Sequence, residues 1–230
     1  MKQHVVTAAL ALVFGFVGAG IWSLSGLGEN RTREYLLAHP GILNDMVEAL
    51  KAEQSGERLA AAGDTVFEPF PGAVLGNPQG TRTLVSFTDH ACGYCRQSEP
   101  DLRRLIAEDP QLRVVMREWP IFEGSEAAAR MALAAAEQGR YDAFYKALFD
   151  LGQPTPASIA RAAETARLDM ERARRIAGSG EVTAELARND QLARSLGFVG
   201  TPAWVTGDQI LQGAVGYDAL ADAVEQSDEA

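Results

Sequence analysis

The order of elements in this chain predicts an α/β fold: strand–helix–strand, then a long helical block, then strand–strand–helix. Three observations carry that expectation. Two cysteines, Cys92 and Cys95, stand two residues apart between an apolar strand-like run (83–87) and a helix-like stretch. A second apolar run, 112–119, follows at the distance a parallel crossover needs. Near the end, 203–206 and 209–211 flank Gly207-Asp208, a short hairpin signature.

The N-terminus comes first in the chain. Val5 to Gly28 is a run of 24 residues without a charge, preceded by Lys2 and followed by Glu29. As a helix it would reach about 36 Å, enough for a hydrocarbon core of about 30 Å. It reads as a signal peptide or a retained anchor. Gly26-Leu27-Gly28 offers small residues for cleavage, but no A-x-A site is present, which favours the anchor. In both cases Lys2 stays inside and the rest is exported, placing the protein in the periplasm, secreted, or tethered to the inner membrane by residues 5–28.

Residues 29–64 form a helical segment. Leu36, Leu43, Val47 and Leu50 fall at spacings of seven, four and three, and Ile42 and Met46 widen the stripe. Pro40 starts a second helix at its first turn. Ser55-Gly56 and the run from Ala60 to Gly63 read as a small-residue linker. A short amphipathic helix cannot bury its stripe alone, so it packs on its own domain, on the bilayer surface, or on copies of itself.

The body spans 65–230, with a helical insert over 121–198. Val74-Leu75 and 82–88 are strands around the turn Asn77-Pro78-Gln79-Gly80. The helix after the cysteines carries Leu102, Leu105 and Ile106 on one side, contains Pro100 and ends at Asp109-Pro110. Ser125 is placed to cap an Ala-rich helix stopped by Gly139. Residues 141–151, 158–168, 169–177 and 181–196 continue as helices, and a last helix begins at Tyr217. The arginines of this block alternate with acids and read as a solvated face.

A net charge of −10 argues against a nucleic-acid partner, and 47% hydrophobic with 23% charged residues is ordinary globular composition. The dithiol is where the chemistry lies. Opening a helix, Cys92 would meet free N–H groups and the positive end of the helix dipole, which favour its thiolate. A disulfide that includes a stabilised thiolate is readily attacked and transferred. Zinc would need four ligands, and the remaining soft candidates are His4, His39 and His90. An inert brace is a second alternative, but a ring this small removes little chain entropy. Cu(I) held by the two thiolates is a third. In an exported protein a solitary pair fits a working dithiol better than a staple.

Several motifs in order resemble a known family. Cys92-Gly93-Tyr94-Cys95, Pro100 five residues on, and Gly200-Thr201-Pro202-Ala203 before the hairpin are similar to the thioredoxin fold with a helical insertion, as in DsbA-like thiol–disulfide oxidoreductases. The segment from Arg33 to Pro40, Glu118-Trp119-Pro120-Ile121 and Ser125-Glu126-Ala127-Ala128 resemble the ScsC-type, copper-tolerance-linked branch, some members of which are trimers. The Cys-Gly-Tyr-Cys motif with Thr before the proline is also similar to disulfide isomerases such as DsbC.

The resemblance implies Cys92 as the exposed attacking thiolate and Cys95 as the buried resolving thiol. It implies that Gly93 and Tyr94 tune the pair, and that Thr201 and a cis Pro202 line the substrate site. Reduced or mispaired exported proteins are the implied substrates, with a membrane redox partner, no further cofactor and a homo-oligomeric state. One departure stands out. The family commonly carries a buried acid six residues before the first cysteine, where this chain has Ser86; Asp89 and Glu118 are candidates to replace it. His90 is either a helper of the thiolate or a surface loop residue, and Trp119 reads as core.

Overall fold

The computed structural model describes residues 10–17 and 27–227, without the side chains of residues 27–30. Most of the uncharged stretch expected to anchor the chain therefore lies outside the described residues. Among those described, no helix is long and apolar enough to cross a membrane.

The chain divides into two compact units, Met1–Lys51 and Ala52–Ala230. The first holds α1 (residues 10–17), α2 (Leu27–Ala38) and the start of α3 (Gly41–Ala62). His39 closes α2, its ring Nδ1 donating to Tyr35 O at 2.8 Å. The stripe expected on this segment is exposed: Leu36 by 44%, Leu43 by 67%, Val47 by 41% and Leu50 by 52%.

The expected linker is a correction. Residues 55–62 continue α3 without a break, because Ala and Glu favour the helix and one glycine costs it only about 1 kcal/mol. The helix ends where Gly63 takes φ +65°. In the second unit Leu59 is already part of the core, and Arg58 Nη1 donates to Leu196 O at 3.4 Å. The body thus begins within α3, ahead of residue 65.

A 3₁₀ turn (Asp64–Phe67) leads to β1 (Val74–Gly76), β2 (Arg82–Thr88), α4 (Gly93–Glu108) and β3 (Leu112–Glu118). The insert follows as α5 (Glu126–Ala136), α6 (Tyr141–Leu151), α7 (Pro156–Thr165), α8 (Met170–Ala177) and α9 (Gly180–Ser195), and the chain closes with β4 (Ala203–Thr206), β5 (Gln209–Gln212) and α10 (Tyr217–Gln226). The sheet order is β1-β3-β2-β4-β5. β2 and β3 are parallel with Val85 opposite Val115, while the other pairs are antiparallel. This is the thioredoxin-like arrangement that the element order implies, with β1 pairing on β3 rather than across its own turn.

Period-two alternation places the two cores. Leu84, Val114, Met116 and Trp204 point to the face covered by α4, α10 and the insert. Val85, Phe87, Val115, Ala203 and Val205 point to the other, where they meet Leu59, Val66, Leu192, Leu196 and Phe198. Three of the insert helices, α7, α8 and α9, are capped by side chains: Thr155 and Ser158 form a capping box, and Asp169 and Ser179 accept from Arg172 N and Val182 N. Ser125 stands at the N-cap of α5 but makes no capping bond. Its hydroxyl is engaged elsewhere.

Candidate active site

The site forms where β2 ends and α4 begins. Thr88 leaves the sheet, Asp89, His90 and Ala91 make the turn, and Cys92 is the N-cap of α4 in extended conformation. Its N–H donates to Asp89 O at 3.0 Å. Asp89 holds the turn and the segment across it. One oxygen accepts from Ala91 N, and the other accepts from Ile121 N, Phe122 N and Ser125 Oγ. Ser125 itself has helical backbone angles (φ −79°, ψ −16°), and its hydroxyl faces Asp89 and Phe122 O instead of the first-turn N–H groups of α5.

Cys92 and Cys95 are free thiols with almost no exposed surface, so Cys92 is buried where an exposed sulfur was expected, and Cys95 lies one turn inside α4. The peptide between Thr201 and Pro202 is cis. Cys92 Sγ donates to Thr201 O at 3.2 Å, so the fold brings together the cysteine motif and the Thr-Pro loop, 109 residues apart. Pro202 O is taken by Gly213 N at 2.8 Å. Gly93 and Tyr94 sit on the exposed first turn of α4 beside the thiol. Tyr94, Ile121, Phe122 and Val199 all expose large apolar surface near these loops, Val199 by 92%.

A model of the DSBA-like thioredoxin domain matches residues 83–225. The chain belongs to this family. Among solved structures it is similar to a thioredoxin-like oxidoreductase from Silicibacter pomeroyi, at 42% identity and TM-score 0.68, covering 73% of this chain and 98% of that one. It is also similar to a linker-deleted variant of Proteus mirabilis ScsC, at 28% identity and TM-score 0.69, covering 87% and 93%. A curated relative, the Na(+)/H(+) antiporter NhaA 3 of Salinispora tropica, is 30% identical over 155 residues, which are 66% of this chain. The matched region spans about a quarter of the curated relatives, 24% of each.

In this DSBA-like domain the two thiols have opposite electrostatics. A hydrogen bond from the Cys95 side chain lowers the Cys92 pKa to about 5, against the opposing effect of burial. The Thr201 side chain and the backbone N–H groups of Cys95 and Tyr94 act in the same direction as Cys95. The Thr201 hydroxyl has no other partner among the described residues, which leaves it free to donate to a thiolate. Cys95 is pushed far above its ordinary value, by burial first and then by its neighbour Cys92. One sulfur is held as an anion and the other as a thiol. No group of three or more His, Cys, Asp or Glu among the described residues is placed to hold a metal ion.

The other candidates fall into place around this pair. His90 is buried rather than on the surface, against the rings of Phe144, Tyr145 and Phe149. Trp119 is core, its indole N–H donating to Asp190 Oδ1 at 3.0 Å. Ser86 is a buried strand residue opposite Met116. Of its proposed replacements, Asp89 is fully occupied by its four bonds.

Sequence reasoning missed Arg117. This buried cation donates to Glu185 Oε1 at 3.0 Å, to Asn189 Oδ1 at 3.1 Å, and to the carbonyls of Thr65, Val66 and Glu68. It ties the entry of the body to β3 and α9. A charged pair at the end of a strand, Arg117-Glu118 directly after the apolar Val114-Val115-Met116, was the available signal.

Proposed function

We propose that this chain is an exported thiol–disulfide oxidoreductase that exchanges disulfides with protein substrates and works chiefly as an isomerase. The observation that carries the proposal is the sharply split dithiol: Cys92 at the helix N-terminus with a pKa of about 5, and Cys95 a neutral thiol one turn inside.

The Cys92 thiolate attacks a substrate disulfide, one substrate sulfur leaves as a thiolate, and a mixed disulfide forms. The freed substrate thiolate then attacks another substrate disulfide and rearranges the pairing. Alternatively, Cys95 attacks Cys92 Sγ and releases the substrate reduced. Thr201 and Pro202 act as the docking edge, with Gly93 and Tyr94 beside them. Both as a thiolate and as a mixed disulfide Cys92 has no proton to give, so Thr201 O is open to accept a substrate N–H. The exposed Tyr94, Ile121, Phe122 and Val199 would favour apolar, unfolded segments.

The isomerase reading rests on the N-terminal segment. The exposed Leu36, Leu43, Val47 and Leu50 would be covered by copies of the same chain, giving a homo-oligomer, a trimer by resemblance, that gathers several dithiols. Residues 5–28 would export the chain and either be removed or tether it to the inner membrane, within reach of a membrane redox partner. The substrates are reduced or mispaired exported proteins.

The test is reactivation of scrambled ribonuclease by the full chain, beside oxidation of reduced ribonuclease and light scattering at tens of micromolar. Isomerisation exceeding oxidation, lost in Cys92→Ser and accompanied by an oligomeric mass, is the expected result. A monomer whose oxidation is the faster reaction would replace this reading with a monomeric oxidase. Rates no higher than those of free glutathione at equal thiol concentration would remove the oxidoreductase reading altogether.

A further inference from the structure

The loop from β3 to α5 carries two large apolar side chains, Ile121 and Phe122, out to the surface, where they are 40% and 48% exposed. Surface loops are ordinarily polar, so two such neighbours side by side need a cause that holds them there. The cause lies in the backbone. The N–H groups of Ile121 and Phe122 both turn inward onto Oδ2 of the buried Asp89, at 2.7 and 3.0 Å, and the Ser125 hydroxyl meets the same oxygen at 2.8 Å. A carboxylate can take several donors at once. With both amides aimed at the interior, this stretch of loop is pinned while its side chains stay outside.

Asp89 also holds the turn of the nucleophile. Its other oxygen accepts from Ala91 N at 2.8 Å, and its carbonyl accepts from Cys92 N at 3.0 Å. Parallel pairing of β2 with β3 ends at Thr88 and Glu118, and one further bond, from Trp119 N to Thr88 O, closes the ladder. Past that point the sheet no longer fixes the two segments against each other, and the Asp89 side chain takes over. The neighbouring acid Glu118 is turned to other partners, its Oε1 accepting from Tyr141 Oη at 2.6 Å and lying 3.2 Å from His90 Nε2. One side chain thus sets where the apolar loop stands relative to Cys92.

We propose that Asp89 is a positioning residue that sets substrate choice. It presents Ile121 and Phe122 beside Cys92 as an apolar lip, which selects disulfides carried in exposed apolar segments of unfolded proteins over small polar disulfides. The inference rests on the exchange reading of Cys92 and Cys95 and deepens it. The Asp89 side chain moves no proton; bond making and breaking stay with the two cysteines. The lip serves only while residues 121 and 122 are held at a fixed place beside the sulfur, because a loose loop would have to be ordered anew by each substrate, at a cost in affinity. Covering two half-exposed side chains of this size is worth about tenfold in affinity.

Two substrates separate the lip from the dithiol. Reactivation of scrambled ribonuclease by the full chain draws on apolar docking, whereas reduction of Ellman's reagent, a small charged disulfide, does not. Asp89→Ala should raise the KM for scrambled ribonuclease about tenfold, with smaller effects on kcat and on the rate with Ellman's reagent. Amide hydrogen exchange at residues 121 and 122 should quicken in the same variant. Asp89→Asn keeps an acceptor toward the loop and should recover part of the affinity. In a chain already carrying Ile121→Ser and Phe122→Ser, Asp89→Ala should raise KM little further, since all three act through one surface. An unmoved KM, an equal loss on the two substrates, or an additive loss in the combined variant overturns the proposal. If Asp89→Ala does not fold, Ser125→Ala serves: it takes one donor from the junction and should raise the same KM by a smaller factor, and an unmoved value refutes the role. A wild-type chain that reduces Ellman's reagent but leaves scrambled ribonuclease untouched refutes the substrate choice alone; one inert toward both strikes at the exchange reading itself.

Discussion

Replacing Cys95 by alanine removes the largest influence on the Cys92 thiolate, and its effect can be worked out from the structure. With a pKa of about 5 against an ordinary 9.0, Cys92 is almost wholly thiolate at pH 7. An ordinary thiol there is about 1% ionised, a roughly 100-fold disadvantage in thiolate. Nucleophilicity falls with basicity at a Brønsted slope of about 0.45, so four pKa units return roughly 60-fold. At pH 7 the two effects nearly cancel, and alkylation rates there would say little.

At pH 5.5 the ionised fractions differ by roughly 2400-fold, which leaves a net advantage of roughly 40-fold. Iodoacetamide labelling of the reduced protein at pH 5.5, with the modified residue located by mass spectrometry, should therefore mark Cys92 first and tens of times faster than a free thiol. In Cys95→Ala the advantage should collapse, and the thiolate absorbance midpoint should climb toward the ordinary value. Labelling of Cys95 first, a wild-type midpoint near 9, or an unchanged midpoint in Cys95→Ala would each refute the assignment of the two sulfurs.

Two further outcomes are expected. Because Cys92 is depressed in the fold, the unfolded chain binds one more proton between about pH 5 and 9, so the reduced form gains stability as pH rises through that window and loses it as pH falls through about 5; urea melts of reduced and oxidised protein should diverge from pH 5 to 7, and a constant difference would contradict this. Arg117→Ala strands the buried Glu185 and the carbonyls of residues 65, 66 and 68, and should cost about 3–5 kcal/mol in urea unfolding; a loss below about 1 kcal/mol would show the hub to be dispensable.

The element order was legible because β2 and β3 are apolar runs with a helix of suitable length between them, and because Gly207 marks the hairpin. The helices of the insert could be read from their stripes and punctuation. What could not be read depends on contacts across the sequence. His90, in a short polar turn, gives no local sign of burial; the rings of α6 that cover it come about fifty residues later. Arg117 in a strand looks like an exposed position until five acceptors from two separate segments, 65–68 and α9, surround it. Ser125 has the identity and place of a cap, yet Asp89 claims its hydroxyl. Small residues at 55–62 read as a joint, but alanine is also the strongest helix former, and Leu59 docks that helix on the body.

The contact between Cys92 Sγ and Thr201 O has a consequence for the chain during its own synthesis. The sulfur emerges long before the residue that completes its setting, and β4 can join β2 only after the whole insert has been made. Until then Cys92 lacks the Thr201 side chain, but it also lacks the burial that opposes its ionisation, while Cys95, the largest influence on its thiolate, is already made. The unfinished protein therefore carries an uncovered, reactive thiol among its own nascent neighbours. Closing of the sheet covers that sulfur and adds Thr201 to its setting.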